Sequence, residues 1–194
     1  MARQVHVLVL DGFADWEPAL ALCELRQQGG YEIVAAGLTG APVKSRGGLR
    51  VTPDIPLAEL DPARSELVIL PGGDSWETGT PAPVAALLPR LVEAGVPVAA
   101  ICAATVALAR TGLLAGRRHT SNGREYLAGM AGDYPGREGY VDELAVTDGR
   151  LITASGAAPV EFAREILQLL GIYGSDELPI WFRLFKYGEL PATA

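Results

Sequence analysis

Short apolar runs rich in valine and isoleucine alternate along this chain with longer segments of helical period, a pattern that few folds can accommodate. It implies a mostly parallel sheet covered on both faces, because parallel strands need long crossovers and a doubly covered sheet is apolar at nearly every position. Val5 to Leu10 reads as the first strand and Pro18 to Gln28 as its helix, with Gly29-Gly30 as the stop. Tyr31 to Ala36 is the second strand, Leu49 to Thr52 a short edge strand, and Glu66 to Leu70 the third main strand, ended by Pro71-Gly72-Gly73. Pro83 to Glu93 reads as helical. Val96 to Ile101 is a wholly apolar strand that runs directly into a helix over Ala103 to Thr111. Arg117 to Thr120 reads as a short strand, and Asn122 with Glu125 fits a capping box. Val141 to Val146 and Leu151 to Ala154 flank a hairpin turn at Asp148-Gly149, and Pro159 opens a helix to Leu170. The expected class is α/β, as one domain over 1–194 with a helical tail over 175–190.

Composition narrows the function. The chain has 194 residues, 49% of them hydrophobic, and 16 basic against 23 acidic side chains give a net charge of −7. Such a chain can bury roughly 70% of its unfolded surface as one domain. An acid surplus argues against binding nucleic acid, whose phosphates call for clustered Lys and Arg. The longest nearly apolar stretch, Val96 to Ala109, is too short for a bilayer and contains Pro97 and Thr105, so no membrane partner is expected. The first residues lack a signal-peptide pattern, and the expected compartment is the cytoplasm. Two cysteines, Cys23 and Cys102, build neither a disulfide framework nor a cysteine-rich zinc site, so no metal is expected. The first strand–helix turn, Asp11-Gly12-Phe13-Ala14, lacks a dinucleotide loop, and no cofactor is expected either. Cys23, among Ala19, Leu20, Ala21 and Leu22, reads as packing.

Cys102 is different. In Val98-Ala99-Ala100-Ile101-Cys102-Ala103-Ala104-Thr105 an apolar strand turns sharply into a helix at the cysteine, with small residues two before and two after it. That is the steric requirement of a nucleophile elbow, though a buried core cysteine fits the same pattern. A helix N-terminus favours the thiolate, so a lowered thiol pKa is expected. Two more segments fall at the same carboxyl edge of the sheet, where open α/β folds place their crevice. Leu70-Pro71-Gly72-Gly73-Asp74 offers backbone N–H groups to an oxyanion, and Asp11 to Glu17 delivers carboxylates.

Ala100-Ile101-Cys102-Ala103, Leu70-Pro71-Gly72-Gly73 and Asp15-Trp16-Glu17 resemble, in order and spacing, the ThiJ/PfpI family of intracellular-protease-like and deglycase-like proteins, within the class I glutamine amidotransferase-like superfamily. The likeness covers about residues 3–171, down to Leu151–Gly156 and Glu161-Phe162-Ala163. It implies a flavodoxin-like three-layer sandwich and a homodimer. Carried over residue by residue, Cys102 matches the elbow cysteine, Glu17 the acid that hydrogen-bonds its sulfur, and Gly73 with the Ala103 backbone the oxyanion donors.

The sequence also departs from the family. Ala103 stands where many protease-like members have a histidine, and Ser155 to Glu161 lacks the His-x-Glu pair of the glutaminases, so glutamine hydrolysis by that triad is not expected. His6 reads as a satisfied core residue. His119 is a candidate for the site, although alignment puts Ser121 or Asn122 in the relevant place, and Asn122 otherwise reads as a cap. Ser155, in a second small-x-Ser-x-small segment, lacks an immediate helix and reads as site-lining. The Trp181, Phe182, Phe185 and Tyr187 stripe reads as core or subunit contact. The expected activity is that of a cysteine-dependent hydrolase-like enzyme acting on a small-molecule substrate, a carbonyl, aldehyde adduct or amide. The alternative is a redox or stress sensor without turnover, oxidised at the same cysteine.

Overall fold

A computed structural model describes residues 3–190. Its centre is a seven-stranded sheet in the order β5-β2-β1-β6-β7-β9-β8, formed by β1 (Gln4–Leu8), β2 (Glu32–Gly37), β5 (Ile55–Pro56), β6 (Ser65–Leu70), β7 (Val98–Ile101), β8 (Ala145–Asp148) and β9 (Leu151–Ala154). Every pairing is parallel except the edge pair β8 and β9. The four-residue run Val98 to Ile101 is fully buried at the sheet centre, which is why it reads as continuously apolar.

Helices cover both faces. On one side α1 (Trp16–Gln27) and α6 (Pro159–Leu169) lay Ala21, Leu25, Phe162 and Ile166 against Val5, Val7, Leu67 and Ile69. On the other, α3 (Ala82–Glu93) and α4 (Thr105–Arg110) pack Leu87, Leu88, Leu91 and Leu108 against Leu8, Val68 and Leu70. The alternation of side chains along β1 and β6 feeds both cores at once. Two further helices, α2 (Ser75–Thr78) and α5 (Arg124–Ala131), sit beside α4. The tail forms α7 (Glu177–Tyr187), docked on α6 by Trp181 and by Lys186 Nζ 2.7 Å from the buried Glu161 Oε1. Trp181 and Phe185 stack with ring centroids 5.0 Å apart, Phe185 remaining exposed.

Several local expectations are corrected. Leu49 to Thr52 is no edge strand of the main sheet; β3 (Val43–Lys44) and β4 (Arg50–Val51) form a separate antiparallel ribbon. Arg117 to Thr120 makes only an isolated bridge, His119 to Tyr140. The hairpin exists, but its first strand lies at Ala145–Asp148 rather than Val141 to Val146, and Asp148 pairs with Leu151 so that Gly149-Arg150 makes the turn, Gly149 at φ +61°. Asn122 and Glu125 make no capping box, since Gly123 occupies the cap position of α5. Cys23 is exposed, because the buried stripe of α1 runs through Glu17, Pro18, Ala21 and Leu25 and leaves position 23 outside it.

Candidate active site

At the carboxyl edge of the sheet β7 ends and α4 is entered through a single 3₁₀ turn, Cys102 to Ala104. Cys102 has φ +60°, unique among the non-glycine residues described. A side chain in this left-handed region costs about 1–2 kcal/mol, so packing must hold it there. The Thr105 hydroxyl donates to the Cys102 carbonyl at 2.7 Å and lies 2.6 Å from the Ser121 hydroxyl, which ties the turn to the segment carrying Asn122. The sulfur is half-buried.

Glu17 arrives from the first turn of α1, with only 1% of its surface exposed. The Gly72 N–H donates to its Oε2 at 2.6 Å. Its Oε1 has no hydrogen-bond partner among the described residues, and the carboxyl as a whole lies beside the Cys102 thiol. Burial pushes the Glu17 carboxyl up to about 7, against the opposing pull of the Gly72 N–H, the thiol contact and the Arg46 guanidinium. That guanidinium stands on the β3–β4 ribbon, which is fastened over the site: Gly12 N–H donates to Lys44 O, Arg46 N–H to Phe13 O, and the Ser45 hydroxyl to Asp15.

Two glycines close the cradle because nothing larger fits. A Cβ on Gly72 would lie 2.6 Å from Cys102 Cβ, and one on Gly156 would lie 2.6 Å from Cys102 Sγ and 3.2 Å from Glu17 Oε1. Asn122 completes it, its Nδ2 donating to Cys102 Sγ at 3.2 Å and its Oδ1 accepting from Gly156 N–H at 2.9 Å. The Gly73 N–H has no acceptor among the described residues, whereas the Gly72 N–H is committed to Glu17.

The expected drop in the thiol pKa is corrected. Burial pushes the Cys102 thiol up, and the neighbouring Glu17 adds to the rise, against the opposing donors Asn122 and the Ala103 N–H. The α4 helix behind the cysteine has six residues, too few to outweigh desolvation.

His119 is also corrected: it does not reach the sulfur. It is fully buried, its Nδ1–H donates to Arg117 O at 2.9 Å, its Nε2 accepts from the Tyr134 hydroxyl at 2.9 Å, and its ring meets Tyr134 and Tyr140 edge-on. Burial lowers its pKa, so it stays neutral at pH 7. Asn122, three residues on and one of the two residues that alignment puts in the relevant place, is the one at the cysteine, and its reading as a cap is corrected. Ser155 builds the turn into α6, where its carbonyl accepts from Ala158 N–H and its hydroxyl from Ala157 N–H at 3.4 Å.

A parallel-sheet sandwich with a positive-φ cysteine between strand and helix, and a buried carboxylic acid against its sulfur, defines a class of nucleophile-elbow proteins. The chain belongs to the DJ-1/PfpI family, whose family model matches residues 3–169. It is 35% identical over 191 residues to a Bacillus subtilis protein named uncharacterized protease YoaZ, covering 95% of this chain and 91% of that one. It is 30% identical over 174 residues to the glutathione-independent glyoxalase DJR-1.2 of Caenorhabditis elegans, covering 88% and 91%. The crystal structure of a ThiJ/PfpI family protein from Bacillus anthracis superposes with a TM-score of 0.90 at 35% identity, covering 97% of this chain and 92% of that one. Relatives named protease and glyoxalase support a hydrolase-like or deglycase-like family role. No described helix is long and apolar enough to cross a membrane.

Proposed function

We propose that this protein is a cysteine-dependent enzyme acting on small carbonyl compounds, with Cys102 as nucleophile and Glu17 as the group that moves the proton. The observation that carries this reading is the Glu17 carboxyl, buried with 1% of its surface exposed and raised by that burial, beside the Cys102 thiol. Such a carboxyl is part carboxylate at neutral pH, and so takes a proton from a thiol that would otherwise remain protonated.

Glu17 Oε1 accepts the thiol proton, and the sulfur electron pair forms a C–S bond to the carbonyl carbon. The π pair of the carbonyl moves to its oxygen, where the N–H groups of Gly73 and Ala103 stabilise the developing charge. The proton on Glu17 then passes to that oxygen and leaves a neutral hemithioacetal. Asn122 holds the sulfur in line and has no titrating group of its own. The role lost with the absent histidine thus falls to Glu17.

Incubation with methylglyoxal, followed as loss of the dicarbonyl, tests the reading. Wild type is expected to consume it and Cys102→Ser to lose turnover; a Cys102→Ser protein as active as wild type overturns the assignment. The sensing alternative needs the same thiolate, and what favours the enzyme reading over it is that relatives are named protease and glyoxalase. Homodimerisation, which the family resemblance implies, belongs to the same reading, and sedimentation velocity measures it.

A further inference from the structure

We infer that a second cleft, towards the amino-terminal end of β1 and remote from the cysteine, binds a small organic cation bearing primary ammonium groups. The cleft encloses about 290 Å³ between β1, β2 and the two 3₁₀ turns Leu57–Glu59 and Pro62–Arg64. That volume lies at the low end of ligand sites, which run roughly 300–1,000 Å³, and suits a ligand of few heavy atoms.

His6 lies in its wall with 2% of its surface exposed. With the single proton of the Ser65 hydroxyl donated to Asp61 O at 3.1 Å, the 3.0 Å bond between Ser65 and His6 is assigned to Nδ1–H as donor. Nε2 therefore presents a bare lone pair and has no partner among the described residues. Burial and the Arg64 guanidinium lower the His6 pKa, which keeps that lone pair free.

The rim supplies more acceptors. Glu32, Asp54 and Asp61 each commit one carboxylate oxygen, to Gln4 Nε2 at 2.8 Å, Ala35 N–H at 2.7 Å and Ala63 N–H at 2.9 Å, which fixes their orientation and leaves a second oxygen free. Glu59 adds a fourth carboxylate, against the one guanidinium of Arg64. A cleft of acceptors around an unpartnered imidazole nitrogen calls for a ligand with several N–H donors and positive charge. No group of three or more His, Cys, Asp or Glu side chains among the described residues could hold a metal ion, so the acceptors suit a spread of donors rather than one point cation.

The test follows the His6 Nε2 resonance of the nitrogen-15-labelled full chain in long-range proton–nitrogen spectra. Putrescine is the probe, with tetramethylammonium chloride at matched ionic strength and zinc chloride alone as separate arms. Putrescine is expected to move the resonance saturably, and tetramethylammonium, charged but without N–H donors, to leave it in place. Glu59→Gln, on the surface, is expected to weaken putrescine by about two- to fivefold. No saturable shift overturns the proposal. So does an equal response to tetramethylammonium, a response to zinc alone, or an unchanged putrescine affinity in Glu59→Gln.

Discussion

Asn122 bridges Cys102 and the neighbouring loop: its amide nitrogen donates to Cys102 Sγ at 3.2 Å while its oxygen takes the Gly156 N–H at 2.9 Å. The donor favours the thiolate, opposing the burial that raises the thiol. Asn122→Ala should therefore push the thiol pKa further up and slow turnover by roughly 10- to 100-fold, the scale of one hydrogen bond to a charged group. Alkylation rates across pH, measured beside dicarbonyl turnover, check both; an unshifted alkylation profile would show that Asn122 does not tune the sulfur.

Glu17 gives the protein a pH-dependent stability of definite sign. Its folded carboxyl titrates at about 7 against an ordinary value of 4.5, so the folded state binds more protons between those limits. This contribution is fully present below about pH 4.5 and is lost as pH rises through 7, by up to about 3 kcal/mol. Urea titrations at several pH values should show that slope in the difference between wild type and Glu17→Gln, in which the opposite slope of the buried His6 and His119 cancels. Turnover should rise with pH through about 7 in wild type, as the carboxylate forms, and the variant should lack that rise.

Gly156→Ala should damage the site without altering a reacting group. Its methyl would stand 2.6 Å from the Cys102 sulfur, so the cysteine or the loop must shift. A destabilisation of about 1–3 kcal/mol is expected, with turnover lost in proportion to the displaced sulfur. Gly129→Ala is the contrast: it lies inside α5 with open space around the new methyl, and should stabilise by about 0.5–1 kcal/mol. Thermal denaturation of the two variants side by side separates the effects.

The left-handed backbone at Cys102 predicts an inverted order of variants. Cys102→Gly should be more stable than Cys102→Ala by about 1 kcal/mol, because only glycine occupies φ +60° without strain. The usual order in a helical turn is the opposite, so equal or reversed stabilities would mean that the turn relaxes once the sulfur is gone.

The sheet and its two covering layers were legible because Val98 to Ile101, Glu66 to Leu70 and Val5 to Leu8 carry their burial in their composition. The elbow was legible for a steric reason, since small residues at Ala100 and Ala104 leave room for one projecting side chain. What sequence reading missed was set by tertiary burial. The rise of the thiol pKa depends on how deeply Glu17 and Cys102 are jointly buried, a property absent from the local pattern. His119 is drawn away by Tyr134 and the Arg117 carbonyl, and Asn122, which alignment offers beside Ser121, reads locally as a cap because its partners, residues 102 and 156, are distant in sequence. Cys23 looked buried by its neighbours' composition, although its angular position on α1 leaves it outside.

Because Gly72 and Gly156 press bare backbone against Cys102 and Glu17, the cradle has no room for a side chain at those two positions. Variation has room farther out, at Arg46 on its ribbon, whose charge acts on Glu17, and at Tyr126, bonded to Glu77 and within electrostatic reach of the cysteine. On the proposed reading, redesign of selectivity starts from those two side chains and leaves the glycine cradle untouched.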